Sequence, residues 1–150
     1  MILVIQRVLR GSVKVNDKKI GEINKGYVIL VGFCKEDKEE YLEKMANKIK
    51  NLRIFEDEEG KMNKSIHEIN GEILLIPNFT LCSSLRKGRR PSFDKAMEIE
   101  KAKEFFELFT GYLRNLGINV KTGIFGAKME VEIINDGPVT FILTHEDLGF

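Results

Sequence analysis

Only two stretches of this chain repeat their apolar residues at helical spacing, and that shortage of helix constrains everything else. In the first, Leu42, Met45, Ala46, Ile49 and Leu52 share one face, with lysines and glutamates between them. Asp37 is the expected cap of that helix. In the second, Ala102, Phe105, Phe106, Phe109, Leu113 and Leu116 recur, and Gly117 stands where a left-handed helix stop belongs. The other apolar segments read as strands. Ile2, Val4 and Val8 alternate, Ser12–Val15 alternates again, and Asn16-Asp17 supplies turn chemistry before Lys19–Ile23. Tyr27–Phe33 is a short continuous apolar run, the pattern of a strand covered on both faces. Glu72–Ile76 is a buried-strand candidate, Met129–Ile134 alternates, Asn135–Pro138 turns, and Val139–Leu143 returns as a strand. Two helices of about four turns cannot cover both faces of six or more strands, so one sheet face must meet another sheet or a second subunit. The expected class is therefore α+β or layered α/β/β, with mixed or barrel-like sheets and two amphipathic helices. Residues 1–150 are expected to form a single, dimer-forming domain, the usual size for one core.

Charge narrows the partners. Lys+Arg 24 against Asp+Glu 23 leaves a net charge of +1, which excludes a broadly cationic protein but not a local basic patch. Arg7 and Arg10 interrupt the opening apolar residues, so no secretory pattern is read there, and no run approaches the length of a membrane span. Cytoplasm is the expected location. Cys34 and Cys82, 48 positions apart without a CxxC, read as reduced, half-buried small hydrophobes rather than a disulfide or zinc pair. The Asn63-Lys-Ser and Asn78-Phe-Thr sequons are then chance matches.

A search for side-chain catalysts finds little. His67 and His145 have no second His or Cys at metal spacing and read as surface or turn residues. The acids of Glu56-Asp-Glu-Glu59 precede Gly60 and read as a solvated loop, and no GxSxG, P-loop or GxGxxG follows a strand. Three features remain. At Ile76-Pro-Asn-Phe-Thr-Leu81 a strand runs into Pro77, which should end sheet pairing. The amides of Asn78, Phe79 and Thr80 are then either free to hold an oxyanion or part of a plain edge turn. Gly137-Pro138 is by base rate a trans turn, although the glycine lets backbone alone enter a pocket. Leu85-Arg-Lys-Gly-Arg-Arg-Pro-Ser-Phe93 holds four cations in five positions, either a solvated loop or a phosphate-binding one.

Taken together, these residues resemble the D-aminoacyl-tRNA deacylases (the D-Tyr-tRNA deacylase family) along essentially the whole chain. The likeness rests on Val4-Ile-Gln-Arg-Val8, Asn51-Leu-Arg-Ile-Phe-Glu-Asp-Glu-Glu-Gly-Lys-Met-Asn63, Arg86-Lys-Gly-Arg-Arg-Pro-Ser-Phe93, Thr122-Gly-Ile-Phe-Gly-Ala127 and Asn135-Asp-Gly-Pro-Val-Thr140. Singly these strings are weak; in one order and at family spacing they are specific. The resemblance implies hydrolysis of the ester of D-aminoacyl-tRNA, and of glycine misattached to tRNA, by a homodimer with active sites at its interface and no cofactor or metal. It implies that Phe79, Thr80 and Asn78 act mainly through backbone amides. Gly137 and Pro138, joined in cis and braced by Arg7, would form a chirality gate reaching into the partner. Pro77, Phe125, Gly126 and Met129 would line the substrate pocket, with Gly126 and Met129 near the terminal adenosine. Arg86, Lys87, Arg89 and Arg90 would hold tRNA phosphates. The chain departs from the family where Ser-Gln is usual, carrying Pro77-Asn78; some relatives with Pro there tolerate small L-residues. The rival expectations are a relaxed deacylase for small L-residues, a non-catalytic tRNA-binding dimer, and a D-amino-acid esterase with no RNA role.

Overall fold

Residues 1–149 are described by a computed structural model. Along the chain come β1 (Ile2–Val15), β2 (Lys18–Ile23), β3 (Gly26–Gly32), α1 (Glu40–Asn51), β4 (Phe55–Glu56), β5 (Met62–Lys64), β6 (Glu72–Pro77), α2 (Ile99–Asn115), β7 (Asn119–Thr122) and β8 (Glu130–Thr144). The architecture hangs on β1, a single long strand where the sequence suggests two. Asn16 and Asp17, at φ 50° and 62°, make the left-handed turn into β2. Antiparallel to β1, β2 pairs with Gly11–Val15, and β3 continues in the same direction beside Ile2–Val8. The other edge of β1 is taken by β8, while β6 and β7 extend the sheet in parallel beyond β3.

Alternation along these strands sends residues to two cores. On one face Leu3, Ile5, Tyr27, Ile29, Val31, Ile73 and Leu75 meet the apolar stripes of α1 and α2, including Met45, Ile49, Phe105 and Phe109. Truncating a fully buried residue such as Phe109 costs about 3–5 kcal/mol. The opposite face sends down Val28, Leu74 and Ile76, which pack with Val8, Val13, Ile23, Met129 and Val131. Those partners come from the far half of the same sheet, which curls over; Lys121 Nζ donates to the Glu22 carbonyl at 2.9 Å across the closure. The helix-poor face is thus covered by the sheet itself. The mixed, nearly closed sheet with two helices agrees with the expected class.

Several local expectations fail for identifiable reasons. On β1 the deeper face carries Leu3 and Ile5, at 0% and 1% exposure, while Ile2 and Val4 are only half-buried. A charged residue, Arg7, continues the buried phase and disguises it. Asp37 does not cap α1: it is buried, and its carboxylate takes the Met1 ammonium and the Cys34 amide. Cys34 and Cys82 are joined in a disulfide, because the parallel strands β3 and β6 deliver both segments to the same end of the sheet, Cα atoms 5.5 Å apart. Sequence separation alone hid that proximity. Asn135–Pro138 does not reverse the chain, since β8 runs through it as one strand. The short β4–β5 hairpin and β7 carry too few apolar residues to announce themselves. Gly117, at φ 84°, ends α2 as anticipated. Among the described residues no helix is long and apolar enough to cross a membrane.

Candidate active site

Where β6 ends, its backbone leaves the sheet and turns. Pairing runs one residue beyond Pro77: the Asn78 amide donates to the Val31 carbonyl at 2.8 Å, so of the two readings the sequence left open this amide takes the edge-turn one and is not free. Pro77 itself sacrifices no ladder bond on its other edge, where β7 pairs only as far as Leu75. Phe79 and Thr80 open a 3₁₀ turn, Phe79–Cys82, with the Leu81 amide on the Asn78 carbonyl at 3.3 Å. The leading amides of such a turn have no partner inside it. The Thr80 hydroxyl donates to Asn78 Oδ1 at 2.6 Å. Cys82 closes the turn back onto Cys34. Above this strand end lies a cavity of about 690 Å³, lined by Pro77, Asn78, Phe79, Phe125 and Gly126 over Val31 and Phe33. That volume suits a nucleoside-sized ligand. Met129 is not among the lining residues; it packs against the smaller core.

A second feature is built into β8. Gln6 pairs with Thr140 and Val8 with Asn135, so one residue of β1, Arg7, faces residues 136–139. The surplus is extruded as a bulge. At its tip Gly137 has φ 131°, a conformation open to glycine, and the Gly137–Pro138 bond is cis rather than the trans of the base rate. Asn135 closes the neck: its Nδ2 donates to the Arg7 carbonyl at 2.9 Å and the Val139 carbonyl at 3.0 Å. Thr140 Oγ1 donates in turn to Asn135 Oδ1 at 3.3 Å. Arg7, only 3% exposed, donates from Nη1 to the Ile54 carbonyl at 2.9 Å. Its Nε lies 3.2 Å from Asp136 Oδ2, an ion-pair distance without hydrogen-bond alignment, and Nη2 lies 3.5 Å from Glu56 Oε1. Glu56, itself exposed, therefore serves the bulge; Glu58 and Glu59 are exposed as the sequence indicated, whereas Asp57 is half-buried. The Asp57 carboxyl is held below its ordinary range by the amides of Lys61 and Glu59. Beneath Arg7 the Tyr27 ring stacks on Phe55 at 4.9 Å; burial pushes its phenol well up, against the opposing charge of Arg7.

The sequence profile of the D-Tyr-tRNA(Tyr) deacylase family matches residues 4–144. The chain is a member of the D-aminoacyl-tRNA deacylase family. Relatives bearing that name, from Dictyoglomus turgidum and Persephonella marina, are 53% and 55% identical over 148 residues. Each alignment covers 99% of this chain and, respectively, 95% and 100% of the relative. The solved structure of a c-Myc DNA unwinding element binding protein superposes with a TM-score of 0.90 at 44% identity, covering 96% of this chain and 98% of that one. A probable eukaryotic D-amino acid tRNA deacylase, 18% identical, shares the fold with a TM-score of 0.83 over 95% of this chain and 97% of its own.

In this deacylase-family chain Arg7 with the Gly137–Pro138 bulge and the cavity lie at different ends of the sheet. Arg7 pairs with Tyr27, and Tyr27 with Ile73, whereas Pro77 pairs with Val31. The offset is four residues along the strands and three strand spacings across, roughly 20 Å at usual sheet dimensions. Arg86, Lys87, Arg89 and Arg90 sit on an exposed loop whose foot is closed by reciprocal Ser84 and Ser92 backbone bonds of 2.8 and 2.9 Å. Among the described residues none of these cations has an ion-pair partner. His67 and His145 do not line the cavity; His145 stacks on Tyr41 at 5.0 Å. Sequence reasoning missed Asn135 and Asp136 as supports of the bulge. A side chain bridging two strands has no local signature.

Proposed function

We propose that the protein hydrolyses the ester joining a D-amino acid, or misattached glycine, to the 3′ end of tRNA, releasing amino acid and tRNA and clearing errors of handedness before translation. The observation that carries this reading is the extruded Gly137–Pro138 loop, exposed yet roughly 20 Å from the cavity of its own chain. It has work to do only in a second protomer. The reading therefore includes a homodimer in which each site joins one copy's Pro77–Thr80 strand end to the other copy's loop.

In that site water adds to the ester carbonyl, and the carbonyl oxygen takes up the negative charge. The Phe79 and Thr80 amides receive it; a single oxyanion donor is worth about 3–4 kcal/mol in comparable enzymes. When the intermediate collapses, the carbon–oxygen bond breaks, its electron pair goes to the ribose oxygen, and that oxygen takes up the proton given up by the attacking water. The substrate's neighbouring ribose hydroxyl assists. Thr80 holds the turn rather than attacking, since its hydroxyl proton rests on an amide oxygen, a group too weakly basic to take it. Selection falls to the loop: main-chain carbonyls cannot swing aside, so an L-side chain clashes where a D-residue or glycine passes. The basic Arg86–Arg90 loop holds phosphates, and the compartment is the cytoplasm.

Deacylation of D-Tyr-, Gly- and L-Ala-charged tRNA, measured side by side, tests the reading. Cleavage of the first two with L-Ala spared is expected. Comparable cleavage of L-Ala would make it a relaxed deacylase, the outcome Pro77 favours. Binding without hydrolysis would leave only a tRNA-binding protein, and equal rates on simple esters with no salt effect would remove RNA from the account.

A further inference from the structure

We propose that Phe79 and Phe93 form a stacking platform for an unpaired base of the tRNA 3′ end, next to the residue held in the cavity. This rests on the tRNA reading above and names the part of the substrate that the cavity rim takes. Phe79 and Phe93 are 58% and 41% exposed, whereas Phe33, Phe105 and Phe109 are buried. Their ring centroids are 5.0 Å apart with planes inclined at 56°, and both rings border the cavity mouth. Two exposed aromatic rings held together at this angle offer an apolar ring face on which a nucleobase of any identity can stack.

The occupant is argued from charge. The basic loop springs from between the two rings in sequence, and its foot at Ser92 adjoins Phe93 directly. Arg86, Lys87, Arg89 and Arg90 thus lie on the loop that links the two rings along the chain, exposed and without acidic partners among the described residues. Bases on aromatics with phosphates on neighbouring cations is the general mode for single-stranded nucleic acid. A protein partner would need apolar reach without this density of positive charge. Backbone amides of Phe79 serve the ester while its ring serves the neighbouring nucleotide, so one residue registers the strand against the chemistry.

The chain contains no tryptophan, so Phe93→Trp installs a single fluorescent reporter that keeps an aromatic face. Uncharged tRNA should quench its emission, and tRNA trimmed of its unpaired 3′ nucleotides should not. Phe93→Leu should weaken tRNA binding roughly ten- to a hundred-fold, raising KM with kcat on saturating D-Tyr-tRNA little changed, and Phe93→Tyr should restore affinity. Phe93→Leu binding as tightly as the parent would overturn the platform. So would a tryptophan signal that follows protein concentration and ignores RNA, which would mean a second copy covers the rings. Wild-type protein that cleaves no D-aminoacyl ester, while the reporter is still quenched by intact tRNA alone, would refute the hydrolytic reading and leave the platform standing.

Discussion

Replacing Gly137 by alanine tests the gate at the point where backbone geometry leaves least room. At φ 131° an L-residue sits in a region that costs about 1–3 kcal/mol. The new Cβ would lie 2.6 Å from Val139 Cγ2, 3.0 Å from the Val139 amide nitrogen and 3.4 Å from Arg7 Nη2. Val139 is 7% exposed and belongs to the main core, and Arg7 is held by Ile54, so neither neighbour can retreat. The exposed loop must move instead. That relief caps the loss of global stability at about 1–3 kcal/mol, a fall in Tm of about 2–10 °C for a chain of this length. Function suffers more, because a displacement near 1 Å in a positioning element can cost about a hundred-fold. The expected result is a roughly hundred-fold lower kcat/KM on D-Tyr-tRNA and a reduced preference over L-Tyr-tRNA, in protein that still melts cooperatively. Parallel kinetics on both charged tRNAs, with a melting curve on the same sample, measure this. Folded Gly137→Ala with parental rate and parental selectivity would refute the claim that this loop carries the discrimination.

The remaining predictions touch other parts of the site. Asn135→Ala removes both donors across the neck of the bulge, costing about 1–3 kcal/mol and eroding selectivity; Asn135→Asp should not rescue either property, since a carboxylate cannot donate. Replacing Arg89 and Arg90 by alanine should flatten the log–log salt dependence of tRNA binding by about 0.7–0.9 for each phosphate that is no longer neutralised, and an unchanged slope would count against the basic loop. Thr80→Ala should keep most activity if backbone amides carry the chemistry, whereas near-total loss would revive a hydroxyl nucleophile. Among the described residues the buried Tyr27 hydroxyl has no hydrogen-bond partner, so Tyr27→Phe should be neutral or stabilise by about 1 kcal/mol. Its phenol titrates above the ordinary 10.0 in the folded state, so its contribution to stability is whole below that pH and drains away as pH climbs further. Melting curves from neutral to alkaline pH should show that component in the parent and not in Tyr27→Phe.

What the linear chain determines here is whatever depends on neighbours in sequence. Helical spacing marks α1 and α2, the left-handed pair Asn16-Asp17 marks the first turn, and the apolar run of β3 marks a doubly covered strand. The motif strings mark the family, and they land on the cavity wall, the basic loop and the bulge. Tertiary structure decides whatever needs residues far apart to meet. Cys34 and Cys82 bond because parallel strands share an end, and Asp37 is spent on Met1 and Cys34 instead of a helix cap. Asn135-Asp-Gly-Pro looks like a turn in isolation, since its residues favour chain reversal. Only pairing of β8 with β1 on both sides of it converts those residues into an outward bulge. The same pairing sets the loop at the opposite end of the sheet from Phe79 and Thr80, because strand register, a long-range quantity, fixes distance where local preference cannot.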